Sequence, residues 1–365
     1  MVYPGYAIAM NMMGRGSCLA SLAILLTWSM GTASCAPTWR DEGPSSLRAG
    51  PGPVRSIVYG RNGLELFALA GRPNEVGRWE LPEGREQPTL KANRQPGTLA
   101  IDLLTNDLVA FDPTRPGHFE IWANDATKYR SFSSPELLWS ELGFHPAGPL
   151  LAVGKDADDH KSGEVIVLDT RDGSERLHAR YPGSSSVLAF APDAAQLAVG
   201  ATTLLANGTL DPSTTTVHIY QLKRGVAPTI LKLNYNPHLA FSPDGRTLAA
   251  WWTDQRMTVE LWSIPEGRLL KTLSVKIKAQ MSALAFSPDG RWLATTAWDR
   301  TAANLPFIPL RNSYGELRIW NLKTGLLTQT ETFDHPLDCL AISPLGDQVA
   351  CGGTDGLIRF IKPKK

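Results

Sequence analysis

What this sequence lacks narrows its chemistry before anything it contains. Of 365 residues, four are cysteine and seven are histidine. There is no C-x-x-C pair, no H-E-x-x-H, and no two histidines at metal-ligand spacing on one element, which argues against a resident zinc site. There is no G-x-S-x-G elbow and no phosphate-cradling glycine loop, so the common signatures of acyl and phosphoryl transfer are missing. No apolar run reaches the roughly 18 residues that a comfortable membrane span needs. An excess of one charge is missing too: 36 basic side chains face 35 acidic ones, a formal charge of +1. A balanced body argues against a nucleic-acid partner and against direct binding to an anionic membrane, both of which are held by concentrated Lys and Arg. The short basic run, "KPKK", ends the chain and reads as a solvated tail.

The N-terminus reads as a separate object. Arg15 precedes "CLASLAILLTWSMG", and the small residues "TASCA" follow, which is the order of a leader: positive region, apolar core, cleavage zone. Met10, Met12 and Met13 offer later starts that leave a more typical leader. Two processing routes fit: a cut after Ala33, or a lipobox-like Thr32-Ala33-Ser34-Cys35 in which Cys35 becomes the lipidated first residue. The expected organisation is a leader over 1–35, a tether and ring-closing strand over 36–50, and a repeat domain over 51–365. The expected location is exported, periplasmic or on the outer surface, with the membrane touched only through the anchor at Cys35.

The body repeats itself. "LAFSPDGRTLAAWW" starts at Leu239 and "LAFSPDGRWLATTAW" at Leu284. "LAF" is a short apolar strand. "SPDG" then reverses the chain: Pro presets φ, Asp caps locally, and Gly takes the left-handed conformation. The returning strand, a loop, a third strand such as "VELWSI" or "LRIWNL", a second turn ("PEG", "KTG") and a fourth strand complete an antiparallel sheet. Turn residues recur at Gly63, Thr105, Gly148, Ala194, Gly245, Gly290 and Gly346. Third-strand anchors recur at Trp79, Trp122, Leu168, Tyr220, Trp262, Trp320 and Phe360. The interval from an anchor to the next turn is 25 to 28 residues, whereas that from a turn to its own anchor ranges from 14 to 30. A sheet fixes the first interval because strands cannot drift without losing register. A solvent loop tolerates the second, because closure entropy grows slowly with length.

These seven units resemble WD repeats, whose proteins form β-propellers, and the resemblance covers about residues 51–365. It implies an all-β, seven-bladed β-propeller of four-stranded antiparallel blades. The seventh unit stops after its third strand, "LIRFIK", so the last blade must be completed by an N-terminal strand near Ser45–Ala49, or an unpaired edge remains. The family's Gly-His dipeptide is missing, with Asp334-His335 as its nearest relic; its Trp-Asp ending appears as Trp-Ser, Trp-Asn or Trp-Glu. The structural Asp has a match at Asp355, with Asp254 and Asp299 as weaker ones. The resemblance implies a structural bond from His335 to Asp355, and Trp79, Trp122, Trp262 and Trp320 as packing between blades.

Chemistry is thinly marked. In "KDADDHKSGE", Asp156, Asp158, Asp159 and Glu164 offer oxygens to a hard cation, but the spacing matches no EF-hand, and a solvated acidic loop is the simpler reading. The first strands, which line a propeller's channel, carry Arg55, Asp102, Glu141 and Asp338 as their charged residues, too dispersed for a catalytic set. Cys339 and Cys351 fall on neighbouring strands; they either pair across the hairpin or stand as two buried thiols, according to register. The long second-to-third strand connections of units three, four and six share one face. The last contains Phe307 and Ile308 beside Trp298, Arg300, Arg311 and Tyr314, the composition of a recognition surface. The alternative is that this loop folds down over its own blade. The face of short turns offers a partner little. The expected function is therefore a non-catalytic interaction module, monomeric and without cofactor, holding a protein or peptide on the long-loop face. The competing readings are a propeller enzyme or metal-dependent binder at the channel mouth, and a sugar-binding propeller.

Overall fold

The computed structural model describes residues 44–364, except 94–95, 102–105, 112–117, 124–128, 134–140, 146–148, 157–161, 170, 194, 204, 206–210, 224, 234, 236, 254–256, 276–278 and 300–313. The leader and Cys35 lie outside the described residues.

A short strand, β1 (Ser46–Arg48), precedes blade 1, which is β2 (Val54–Tyr59), β3 (Glu65–Ala70), β4 (Glu75–Glu80) and β5 (Arg85–Lys91). Blade 2 is β6 (Thr98–Ile101), β7 (Leu108–Phe111), β8 (His118–Trp122) and β9 (Tyr129–Ser133). Blade 3 is β10 (Glu141–Phe144), β11 (Leu150–Asp156), β12 (Ser162–Asp169) and β13 (Glu175–Pro182). Blade 4 is β14 (Ser184–Phe190), β15 (Gln196–Thr202), β16 (Thr216–Gln221) and β17 (Thr229–Lys232). Blade 5 is β18 (His238–Phe241), β19 (Thr247–Thr253), β20 (Met257–Ser263) and β21 (Arg268–Val275). Blade 6 is β22 (Ala279–Phe286), β23 (Trp292–Asp299), β24 (Gly315–Asn321) and β25 (Leu327–Phe333). Blade 7 is β26 (Leu337–Ile342), β27 (Val349–Gly353) and β28 (Leu357–Ile361), with β1 as its outer strand. All seven sheets are four-stranded and antiparallel.

Burial falls from the axis outward, and the sequence follows it. In blade 4, β15 is buried along nearly its whole length, whereas the outer β17 alternates and exposes Ile230. Inner strands pack against neighbouring blades on both faces, so they read as continuous apolar runs rather than as alternation. Phe241, Leu248, Leu284 and Phe286 of the two clearest repeats are all at most 2% exposed. Burial of each such side chain contributes about 2 kcal/mol.

The "SPDG" hairpins share one hydrogen-bond set. In blade 5, Ser242 Oγ donates to Asp244 Oδ1 (2.6 Å) and accepts from Thr247 N (2.9 Å), while Arg246 N donates to Asp244 Oδ1 (3.0 Å). In blade 6, Ser287, Asp289, Arg291 and Trp292 repeat these bonds within 0.1 Å. Gly290 adopts φ +68 and lies against Pro243 of the preceding turn. Gly346 meets Pro288 in the same way, and Gly63 meets Pro344. Proline of one turn thus seats glycine of the next, and this belt continues across the junction between blades 7 and 1.

The junction is closed as the strand count requires. Ser46, Leu47 and Arg48 pair with Arg359, Ile358 and Leu357. Ala49 N donates to Gly356 O (2.9 Å) and Phe360 N to Ser45 O (3.0 Å). In the same blade Cys339 pairs in register with Gly352, and Leu340 with Cys351. The two sulfurs therefore occupy opposite faces, and no disulfide joins them. Cys339 Sγ donates instead to Val54 O of blade 1 (3.3 Å) and Cys351 Sγ to Arg359 O (3.7 Å). Burial pushes the Cys351 thiol up to about 12, so it is unreactive.

In blade 3 a buried carboxylate holds the turn between β12 and β13. Asp169 is 1% exposed and accepts from Arg171 Nε (3.0 Å), Arg171 N (3.1 Å) and Arg176 Nη2 (2.8 Å). The hydrogen bonds from Arg171, joined by those from Arg176, hold its pKa far below the carboxylate range. A folded pKa below the unfolded value means stability that is present above the unfolded pKa, near 4, and is lost as pH falls toward the folded one. Urea titrations from about pH 5 to about pH 2 should show wild type converging on Asp169→Asn as acid is added. A gap that stays constant would refute this role for Asp169.

Candidate functional site

The channel end of the first strands carries an irregularity that composition does not reveal. A β-bulge recurs at one position in blades 1, 4, 6 and 7, leaving Arg55, Ser186, Ser282 and Asp338 outside the ladder. Each stands eight residues before its turn position, Gly63, Ala194, Gly290 or Gly346. Bulges bend strands and re-aim side chains. Ser282 Oγ donates to Leu337 O of the next blade (2.6 Å) and bonds Thr296 Oγ1 (3.0 Å). Arg55 is exposed and Asp338 half-buried, at equivalent positions of adjacent blades. Asp102 lies outside the described residues, as does the side chain of Glu141. Among the described residues no group of three or more His, Cys, Asp and Glu side chains comes together as a metal site.

The long-loop face is described at its stems. Register holds to the base of each excursion: Asp156 pairs with Gly163, Ala201 with Thr216, and Trp298 with Gly315. Buried Thr202 and Thr215 bond through their hydroxyls (3.0 Å), fixing the blade 4 excursion at its root. At the blade 6 stem Trp298, which pairs with Gly315, is half-buried, and Tyr314, the residue before Gly315, is 41% exposed. Arg300, Phe307, Ile308 and Arg311 lie outside the described residues. On the adjoining blade, Tyr235 stacks on Trp252 (centroids 3.5 Å apart) and donates to Glu260 Oε2 (2.5 Å), which also accepts from Trp262 Nε1 (3.0 Å).

Several residues singled out in the sequence take other roles. Glu164, a candidate cation ligand, is bound by Arg180 Nε (2.8 Å) and His178 Nε2 (3.3 Å). Asp158 and Asp159 lie outside the described residues, as does the side chain of Asp156. Asp355 does not take its hydrogen bonds from His335: Arg359 grips it with both terminal nitrogens (3.1 and 2.5 Å) and Leu357 N adds a third (3.2 Å). An arginine four residues on, across the same turn, reaches the carboxylate first, and His335 stays exposed. Asp254 and the side chain of Asp299 lie outside the described residues. Trp79, Trp122 and Trp320 are at most 4% exposed, and Trp262 is half-buried. Trp320 Nε1 donates to Thr295 Oγ1 (3.2 Å) on the neighbouring strand.

The short-turn face, on which the sequence marks little, carries one feature. A groove of about 820 Å³ crosses it where blades 6, 7 and 1 meet, with Trp292, Ile319 and Phe360 among its lining. Both aromatics were legible only as strand residues. Their shared exposure arises from three turns converging at the closure, which no single repeat encodes.

Seven four-stranded sheets around an axis, the last completed by the N-terminal strand, define a closed β-propeller. The family model for the WD domain, G-beta repeat, matches residues 267–303 and 327–362. The first match covers the outer strand of blade 5 with β22 and β23; the second covers the outer strand of blade 6 with blade 7. The sequence unit is thus offset by one strand from the blade, so successive repeats lock successive sheets. No curated protein matches the chain in a whole-sequence search. The chain thus carries WD repeats at those two places within a seven-bladed propeller, a fold commonly used for protein interaction.

Proposed function

We propose that this propeller is a non-catalytic module that holds a protein or peptide partner on its long-loop face. The observation that supports it is that the excursions of blades 3, 4 and 6 rise from stems whose register is unbroken to the last pair. Rigid stems reduce the ordering entropy lost on binding, and partly exposed Trp298 and Tyr314 provide aromatic anchors. The test replaces the Asp299–Gly315 segment with a short turn and compares partner recovery with wild type in a pull-down. Recovery should fall at least tenfold, the size expected when central anchors are lost; unchanged recovery would remove that loop from the site.

We also propose that the chain is exported. The leader pattern from Arg15 to Cys35 supports this. Intact-mass measurement of the purified protein should give a start at Ser34 or a lipidated Cys35. A mass retaining the segment before Ala33 would sink the proposal.

A further inference from the structure

The groove on the short-turn face has its own chemistry, independent of the long loops. Its volume, about 820 Å³, lies within the roughly 300–1,000 Å³ of ligand sites. The hairpin turns of blades 6 and 7, the tail after β28, Leu81 and Pro82 of blade 1, and Pro44 form its walls. Ile319 is buried, and Trp292 and Phe360 are half-buried, so two ring surfaces face it. Two leucines stand proud in the turns that bound it: Leu345 is 47% exposed beside Gly346, and Leu326 is 66% exposed between Asn321 and Thr328.

Charge is arranged in two tiers. Arg291 and Lys364 have side chains 84% and 73% exposed, Lys364 lying 3.7 Å from Glu331 Oε1, and Lys362 is also exposed. Of the two carboxylates that line the groove, Asp289 lies 3.6 Å from Arg291, and Asp347 has a buried oxygen with no donor among the described residues.

We propose that this groove is a second recognition site, for an extended peptide carrying an aromatic or aliphatic side chain flanked by acidic residues. The apolar side chain lies on Trp292 and Phe360. Its acidic neighbours meet Arg291, Lys362 and Lys364 at the rim. A peptide N–H group supplies the donor that Asp347 Oδ1 lacks among the described residues. A polynucleotide fits less well, because its backbone brings only acceptors to those carboxylates. A second copy of the chain fits less well too, because it would bring like cations against these.

The test immobilises the full chain and selects from a random dodecapeptide display library. Enriched peptides should show acidic residues flanking an apolar one. The best of them, synthesised with a fluorescent label, should bind in anisotropy titrations and weaken about tenfold toward the Lys362→Glu/Lys364→Glu variant. Trp292→Ala should weaken it comparably. Both lysines are exposed, so their variant keeps its thermal midpoint and remains informative if Trp292→Ala fails to fold. Replacing the Asp299–Gly315 segment should leave this affinity unchanged, which separates the result from that of the long-loop test. No enrichment, enrichment of basic or uncharged sequences, equal binding by the charge variant, or displacement by oligothymidylate would each overturn the proposal.

Discussion

Replacing Leu47 with Asp is expected to lower the unfolding free energy by about 4 kcal/mol and to make the chain associate. Leu47 is the central residue of β1, is 9% exposed, and packs in a cluster with Tyr59, Trp79, Leu81 and Ile358. The turn at Gly84 of blade 1 rests on it and on Pro44. A carboxylate there loses the apolar contact and must also be desolvated or expelled. Expulsion takes β1 with it, because three residue pairs hold the strand to β28. That uncovers the edge of β28 beside the blade 1 junction, and an open edge is a template for pairing with another chain. Urea titration should place Leu47→Ala between wild type and Leu47→Asp, and light scattering should show concentration-dependent growth for the Asp variant alone. An Asp variant with the wild-type midpoint and no growth would mean that the ring does not depend on its clasp.

The clasp was legible in the sequence although the strand itself is weakly marked. A seventh unit ending at "LIRFIK" has three strands where its siblings have four, and geometry requires the fourth from elsewhere. The repeat frame was legible for a related reason: Gly245 and Gly290 each need φ > 0 beside an apolar strand, and few residue patterns satisfy both. The bulges at Arg55, Ser282 and Asp338 were not legible, because a bulge changes register without changing composition. The fate of Asp355 was misread because two partners lay within reach, and the choice of Arg359 over His335 depends on the path of one turn.

The site was less legible than the frame. The base of the blade 6 excursion was legible, since register across β23 and β24 follows from the repeat and holds to Trp298 and Gly315. The groove at the closure was missed because its parts lie at opposite ends of the chain. Pro44, Pro82, Trp292, Asp347 and Phe360 are brought together only when blade 7 meets blade 1. Intervals within one repeat carry no trace of that meeting.

The largest single-residue effect in blade 6 is expected from Glu316→Gln, at about 3 kcal/mol. Arg318 and Glu316 form an ion pair on β24, with side chains 5% and 12% exposed. Burial lowers the pKa of Arg318, and the Glu316 carboxylate opposes that shift. Glutamine keeps the shape and removes the countercharge of the buried guanidinium. Arg318→Met should cost less, because the carboxylate left behind is the more exposed partner. The double variant Glu316→Leu/Arg318→Met should recover most of the loss, since no buried charge remains. The position is shared: Arg318, Glu260, His218 and Glu120 each stand two residues before an aromatic anchor; the first three bond a residue two positions away, and Glu120 accepts from Asn93 N. These blades use separate solutions at one place. Urea titrations of the two single variants and the double complete the cycle. A Glu316→Gln cost below about 1 kcal/mol would mean that the pair is solvated and that blade 6 is held by its apolar contacts alone.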